Sequence, residues 1–190
     1  MEISKRRCRW VGDNALMINY HDNEWGVPVH EDSTLFEFLI LEGAQAGLTW
    51  QTVLNKRDNY RKAFDYFEVN EIANYGSGDV KRLLTDSGII RNRLKIESTI
   101  QNARAFLEVK KEYKTFDAYI WQFVDHKPIN HAINVTDPIP VTTKESGSMS
   151  KDLLKRGFKF VGPTICYAFM QAVGMVNDHE LKCFRHAVLK

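Results

Sequence analysis

The stretch KRGFKFVGPT, residues 155–164, predicts two helices joined by a tight turn. Gly157 and Gly162 bound the turn, and Pro163 stands where the first turn of a helix tolerates proline. This glycine spacing also begins a Walker A loop, but that loop requires lysine at the position of Pro163, which argues against a nucleoside triphosphate site. The N–H groups at the start of the second helix have no partner within the helix and would point toward an anion.

Basic side chains surround this turn: Lys151, Lys155, Arg156 and Lys159. A helix start flanked by cations would hold a phosphate of nucleic acid without reading its sequence. The alternative is an ordinary helix–turn–helix connection whose lysines are only solvated.

The residues before this hairpin are also patterned as helices. Residues 35–43 follow an i, i+3, i+4 apolar pattern behind the cap candidates Asp32 and Ser33. Gly47 is predicted to end that helix, and Thr49 to cap the next one.

Further helices are predicted over 91–112, after Thr115, after Ser150 and over 163–174. Residues 129–143 contain Pro138 and Pro140, which favour an irregular connection over a strand. The sequence shows no internal repeat and no linker. We therefore predict one all-α unit spanning residues 1–190, with the hairpin at about 150–174.

The composition excludes several classes of protein. The chain has 190 residues, 44% of them hydrophobic, and a net charge of +2, which argues against disorder and against binding DNA by bulk positive charge. No apolar run is long enough to span a membrane, and MEISKRRCRW at the start does not resemble a signal peptide. Three scattered cysteines do not form a disulfide framework. We expect a cytoplasmic globular protein.

The near-neutral total hides a strongly acidic segment. Residues 10–50 contain no lysine or arginine, seven acidic residues, and three of the four tryptophans, Trp10, Trp25 and Trp50. Such a segment suits a cationic or π-rich ligand. The alternative is that the tryptophans belong to the core and the acids form a solvated face.

Glu42 is the acidic residue that stands out. It follows the apolar run FLIL, so it is predicted to lie on the inner side of its helix. A buried carboxylate is costly unless it is paired, hydrogen-bonded or kept for a ligand. Tryptophans around one carboxylate would favour a flat cation.

Two cysteines and two histidines form a candidate metal site: Cys8, His21, His179 and Cys183. The last two are four residues apart and would project from one face of a helix. Two sulfurs and two nitrogens are a usual ligand set for structural zinc, and this site would join segments 8–21 and 179–183. Alternatively, each cysteine is a small apolar core residue and each histidine a satisfied polar group. The other four histidines lack matching partners.

Several long motifs resemble those of the 3-methyladenine DNA glycosylase I family, which belongs to the helix-hairpin-helix DNA glycosylases. The resemblance runs from about Cys8 to Cys183. It is carried by CRW at 8–10, YHDNEWGVP at 20–28, LEGAQAGLTW at 41–50, GII-R-R-K from Gly88 to Lys95, RGFKFVGPTICYAFMQAVG at 156–174 and VNDH at 176–179.

The resemblance implies an all-α helix-hairpin-helix glycosylase fold with a structural Zn²⁺, one per chain, whose ligands match Cys8, His21, His179 and Cys183. It implies a base pocket at Trp10, Tyr20, Trp25, Glu42 and Trp50, with Glu42 as the catalytic residue. It places DNA-backbone contacts at Gly157, Lys159 and Gly162. One position that is aromatic in better-known members is Met17 here, so a stacking or hydrogen-bonding role there is in question.

The implied activity is base-excision repair by a monofunctional glycosylase without lyase chemistry. The partner would be double-stranded DNA containing 3-methyladenine, the product would be the free base, and the protein would act as a monomer. The alternatives are a non-catalytic, zinc-stapled sensor of alkylated DNA, a glycosylase with a shifted substrate range, and a zinc hydrolase. The last requires an open coordination position, which a Cys₂His₂ set does not leave.

Overall fold

The computed structural model describes residues 5–189, and these residues are mostly helical. Ten α-helices follow one another in this part of the chain, with bounds α1 Ala15–Asn23, α2 Asp32–Gln45, α3 Trp50–Leu54, α4 Arg57–Ala63, α5 Val69–Ala73, α6 Ser77–Thr85, α7 Arg93–Tyr113, α8 Phe116–Ile120, α9 Lys144–Lys155 and α10 Pro163–Ala172. Two strands of two residues each, β1 Ile129–Asn130 and β2 Val176–Asn177, complete the regular structure together with two short 3-10 segments. The all-α prediction is thus confirmed as a mostly helical structure, whose two short strands were not predicted.

Helix α2 is the centre of the core. Every residue from Leu35 to Ala44 is buried, so this helix has no solvent face over most of its length. It packs against α10, α7, α3 and α8. A helix that is apolar nearly all round must be enclosed by other elements, so the side chain of Glu42 is placed inside the protein.

The helix boundaries follow their caps. Thr49 and Thr115 accept hydrogen bonds from the first turns of α3 and α8, as predicted. Helix α2 is instead capped by Glu31, whose carboxylate accepts from two N–H groups, so the assignment to Asp32 or Ser33 is wrong by one or two residues. Helix α9 begins at Lys144, not after Ser150, because Thr143 and Ser146 form a reciprocal capping box.

The hairpin is formed by α9, a turn over residues 156–162, and α10. Gly157 takes φ +91°, which favours glycine, and Phe158 and Val161 bury their side chains in the core. Asn102 on α7 receives a hydrogen bond from the Lys159 amide at 2.7 Å and donates one to the Lys159 carbonyl at 3.0 Å. The turn is therefore fixed to the longest helix.

The two short strands lie in the connection that was predicted to be irregular and in the segment after α10. They pair in parallel, with Ile129 opposite Val176 and Asn130 opposite Asn177. Because the strands share a direction, the residues that follow them, His131 and Asp178, also come together. The rest of 129–143 has no regular structure.

A close backbone contact joins the end of α10 to the segment after α1. Gly174 has φ +71°, and a side-chain carbon there would lie 2.4 Å from the backbone of Val27 and Pro28. Only glycine permits this approach, which is also fixed by hydrogen bonds from Gly26 to the Gln171 carbonyl and from Val29 to the Val173 carbonyl. None of the helices in residues 5–189 is both long enough and apolar enough to cross a membrane.

Candidate functional site

A cavity of about 200 Å³ opens between α1, α2, α3 and α10. Its volume is many times the roughly 10–15 Å³ that suffices for one water molecule on the same measure. The structure brings together in its wall all five residues that the sequence predicted for a base pocket, and adds Met17, Gln45, Ile139, Ala168 and Gln171.

The aromatic side chains form two pairs around this cavity. Trp10 meets Trp25 edge to face with ring centroids 4.8 Å apart, and Tyr20 lies 5.1 Å from Trp50 at an interplanar angle of 44°. Tyr20 and Met17 reach the cavity from one face of α1, since they are three residues apart on the helix. The walls therefore offer flat π surfaces from opposite ends of the segment 10–50.

Glu42 is buried, and its Oε2 atom has no hydrogen-bond partner among the described residues. Burial raises the pKa of this carboxyl group to about 8, with no nearby cation to offset it. The indole N–H groups of Trp10 and Trp50 are also buried without a described partner. An orphaned acceptor and two orphaned donors in one aromatic cavity indicate a polar, planar ligand.

The acidic residues of segment 10–50 fall into two groups, those in ion pairs and Glu42 at the cavity. The interpretation as a solvated or paired face and the interpretation as a ligand site are therefore each partly right. Glu24 and Glu37 form ion pairs with Arg57 on α4, and Glu37 also pairs with Arg61. Asp22 and Asp32 form ion pairs as well, with Arg7 and Lys110. Glu42 alone faces the cavity. The negative charge of residues 10–50 therefore does not act as a whole on a ligand.

The candidate metal site is assembled. The ligand atoms of Cys8, His21, His179 and Cys183 all lie within 4.8 Å of one another, and all four residues are buried. Sulfur–nitrogen distances are 3.5 Å from Cys8 to His179 Nδ1 and 3.4 Å from Cys183 to His21 Nε2. A tetrahedral ion with bonds of about 2.3 Å to sulfur and about 2.0 Å to nitrogen places those atoms about 3.5 Å apart. The donor set fits a metal ion.

The second nitrogen of each histidine is also engaged. His21 Nδ1 lies 2.8 Å from the Asp22 carboxylate, and His179 Nε2 lies 3.0 Å from the Trp25 carbonyl. Such outer contacts set the tautomer and the orientation of a ligating imidazole. A mutual hydrogen bond lowers the pKa of the Cys183 thiol and raises that of the Cys8 thiol, so one of the two sulfurs keeps a proton that a bound metal ion would displace.

The segment that carries the last two ligands is not a helix. Residues 178–189 form irregular structure and turns after β2, with hydrogen bonds such as that from the Cys183 amide to the Glu180 carbonyl. The predicted projection of His179 and Cys183 from one helical face is therefore wrong. A chain that folds back on itself brings them together, and segments 8–21 and 179–183 meet as expected.

The three predicted DNA-backbone residues lie in the hairpin turn but offer different groups. The Gly157 amide donates to the Leu154 carbonyl, so it shapes the turn. The Lys159 amide is bound to Asn102, while its side chain is exposed. Gly162 is the N-terminal flanking residue of α10, where first-turn N–H groups lack partners within the helix.

Sequence reasoning missed two features next to the cavity. Gln171 lies in the apolar second half of α10, and that isolated polar residue was an available signal. His131, set aside as unpartnered, lies 2.6 Å from the Asp178 carboxylate and outside the metal cluster. Cys166 is a core residue, as expected.

The protein is mostly helical and has a basic hairpin, an aromatic cavity and an unpaired buried carboxylate. These features are typical of proteins that bind a flat nitrogenous base. The profile of the methyladenine glycosylase family matches residues 10–186. The chain belongs to the methyladenine glycosylase family. This confirms the resemblance and the prediction that the protein is an enzyme, a DNA glycosylase.

The similarity to known relatives extends over nearly the whole chain. DNA-3-methyladenine glycosylase 1 of Escherichia coli (strain K12) is 51% identical over 177 residues, 93% of this chain and 95% of that protein. A crystal structure of 3-methyladenine DNA glycosylase I has a TM-score of 0.93 at 51% identity and covers 95% of this chain and 100% of that one. A variant of 3-methyladenine DNA glycosylase I, solved in complex with 3-methyladenine, has a TM-score of 0.91 at 31% identity, over 94% and 96%.

Proposed function

We propose that this protein hydrolyses the N-glycosidic bond of 3-methyladenine in double-stranded alkylated DNA and releases the free base. The relatives carry this activity in their names, and one is described in complex with 3-methyladenine. The observation that carries the proposal is the unpartnered Oε2 of Glu42, buried in a cavity together with two unpartnered indole N–H groups.

The damaged base suits these groups. Its exocyclic amine is a donor for Glu42, and its ring nitrogens are acceptors for the indole N–H groups of Trp10 and Trp50. In DNA the 3-methylated base is cationic, and a cation beside Glu42 would favour the ionised carboxylate that burial otherwise opposes. Trp50, Tyr20 and Trp25 would add cation–π attraction of about 0.5–2 kcal/mol per contact.

The reaction requires little covalent chemistry from the protein. The alkylated base leaves as a neutral molecule, so no strong acid has to protonate it, and water attacks the sugar. None of the lysines among residues 5–189 lines the cavity, where one could form a Schiff base. We therefore infer monofunctional hydrolysis that leaves an abasic site, with Glu42 holding the flipped base and favouring its positive charge.

The hairpin would hold the DNA backbone. The Lys159 side chain is exposed, and the first turn of α10, after Gly162, has N–H groups for a phosphate. The Gly157 contribution is the shape of the turn. These contacts fix the position of the duplex without reading its sequence. We expect the enzyme to act as a monomer in the cytoplasm. We also expect residues 1–190 to form a single folded unit that belongs to the helix-hairpin-helix superfamily.

The metal is proposed to be zinc, one ion per chain. Two sulfurs and two nitrogens at tetrahedral spacing are a closed set with no open position for a substrate, so the ion would be structural. Cys8, His21, His179 and Cys183 would hold it and thereby join the N-terminal segment to the C-terminal one. Elemental analysis should find about one zinc per chain, and none in protein prepared without chelator would overturn this assignment.

The test of activity is identification of the product. Purified protein is incubated with methylated duplex DNA, and the released bases are identified by mass spectrometry. We expect free 3-methyladenine and an intact strand bearing alkali-labile abasic sites. The Glu42→Gln variant should release the base much more slowly. Binding of methylated DNA without release of any base would favour a sensor, and release by Glu42→Gln at the wild-type rate would refute the role of Glu42.

A further inference from the structure

Gln171 is one of the polar residues that line the cavity besides Glu42, and it is the one whose side chain a buried carboxylate holds. Gln171 contributes to the cavity wall from α10, two residues before the close backbone contact at Val173 and Gly174. The Gln171 carbonyl accepts a hydrogen bond from the Gly26 amide at 3.0 Å, so the backbone of Gln171 is tied to the segment after α1. The orientation of its side-chain amide decides whether it shows the cavity a donor or an acceptor.

A buried carboxylate fixes that orientation. Gln171 Nε2 lies 2.8 Å from Oδ2 of Asp178, whose side chain is completely buried. A carboxylate accepts hydrogen bonds, so the NH₂ arm of the amide must be the one turned toward it. No hydrogen bond from residues 5–189 reaches the amide oxygen on the other arm, so this oxygen is available to a ligand in the cavity that Gln171 lines.

Other donors keep Asp178 in the role of acceptor. The Tyr167 hydroxyl lies 2.5 Å from Oδ2, and His131 Nδ1 lies 2.6 Å from Oδ1. Burial, followed by the hydrogen bond to Asp178, raises the pKa of Tyr167, so this residue remains a phenol that donates. Parallel pairing of β1 and β2 places His131 and Asp178 side by side and thus builds this arrangement into the fold.

We propose that Asp178 positions Gln171 so that the Gln171 amide oxygen is a second acceptor for the exocyclic amine of the bound base and rejects purines that carry a carbonyl at position 6. This inference rests on the proposed function and adds the basis of a preference for 3-methyladenine over 3-methylguanine. Adenine has two amine hydrogens at that position, one for Glu42 and one for Gln171. Guanine has an oxygen there, which would face a fixed acceptor.

Glu42 alone would discriminate poorly between these bases. Because burial raises its pKa to about 8, it is mostly protonated near pH 7 and can then donate to a carbonyl oxygen. The amide of Gln171 has no such freedom while Asp178 holds its NH₂ group. The fixed acceptor therefore supplies the selectivity that a carboxyl group able to change its protonation state lacks.

The test compares the two bases released from one preparation of methylated duplex DNA. Both lesions are then in the same DNA, so differences in DNA affinity or in the fraction of active protein cancel in the ratio of the two release rates. Gln171→Met keeps the side-chain length and removes the amide, and should lower the ratio of 3-methyladenine to 3-methylguanine release about 10-fold. Asp178→Asn should lower it about 3-fold or more although Gln171 is present, because an amide partner no longer dictates which arm of Gln171 faces it.

His131→Asn is the matched control, since His131 contacts only Oδ1 of Asp178 and does not line the cavity, while Tyr167 still donates to Oδ2, the oxygen that holds Gln171. It should leave the ratio unchanged. A ratio within twofold of the wild type for Gln171→Met would overturn the inference, and so would a change for His131→Asn as large as that for Asp178→Asn. If the wild type releases neither base, the proposed function itself fails. If it releases 3-methyladenine and Gln171→Met keeps the ratio, only the present inference fails.

Discussion

Glu42→Gln should make the folded protein more stable while it slows base release. The carboxyl group is buried without a charged partner, and its pKa rises from 4.5 to about 8 on folding. A carboxyl group whose pKa is raised on folding lowers the free energy of unfolding as pH rises. Above pH 4.5 the unfolded chain releases a proton that the folded chain retains. The loss begins near pH 4.5 and is complete above about pH 8.

The size of the effect follows from the same two values. Each pH unit between them costs about 1.4 kcal/mol, so at pH 7 the carboxyl group destabilises the fold by about 3 kcal/mol. The amide introduced by Glu42→Gln would have no proton to lose, and the free energy of unfolding of this variant should exceed that of the wild type by about this amount. For a chain of this size the melting temperature should rise by roughly 6–12 °C.

The assay is chemical or thermal denaturation of both proteins at pH 5, 6, 7 and 8. The gain of Glu42→Gln over the wild type should be small at pH 5 and grow with pH. Glu37→Gln is the matched control, because Glu37 is also buried on α2 but is paired with Arg57 and Arg61, and its loss should destabilise the protein. A Glu42→Gln variant that is no more stable than the wild type at pH 8 would refute the reasoning.

Three further changes test other parts of the molecule. Lys159→Ala should weaken DNA binding and reduce the slope of log affinity against log salt concentration by about 1, while the rate of base release at saturating protein stays unchanged. Replacement of Lys62, an exposed lysine on α4, by alanine is the control and should change neither quantity. Cys183→Ser should lose the bound metal and up to roughly 4–5 kcal/mol of stability, since the long loop between the chain ends is no longer closed; retention of one metal per chain would contradict this. Lys95→Met should slow base release, because Lys95 Nζ donates to the carbonyls of Ala44 at 2.7 Å and Ala46 at 2.8 Å at the end of the helix that carries Glu42; kinetics equal to the wild type would exclude this role.

The sequence predicted best what depends on local pattern. Apolar periodicity and the caps at Thr49 and Thr115 identified helices, and the glycines around residues 157–162 identified the turn of the hairpin. Glu42 was predicted to face inward from its place in an apolar run, and it does. Each of these features is decided by neighbours along the chain.

The features that sequence reasoning missed depend on residues far apart in the chain. The segment around His179 and Cys183 is not helical, because β2 pairs with a strand nearly 50 residues earlier and the chain then turns back toward Cys8. The acids of residues 10–50 looked like one charged field, yet arginines and a lysine from other elements neutralise several of them. Partners of this kind leave no periodic trace, so a single sequence does not reveal them.

Helix α10 has a geometric consequence for the substrate. Its first residue, Pro163, adjoins the turn that would meet a phosphate, and Gln171 lies eight residues along at the cavity wall. At about 1.5 Å per residue, the two points are about 12 Å apart along one rigid axis. If the hairpin and the cavity act as proposed, this length would be a fixed spacer for a nucleotide rotated out of the duplex. One residue inserted in α10 would lengthen the helix by about 1.5 Å and rotate its far end by about 100°. The phosphate contacts of the hairpin and the base pocket could then no longer bind the same nucleotide.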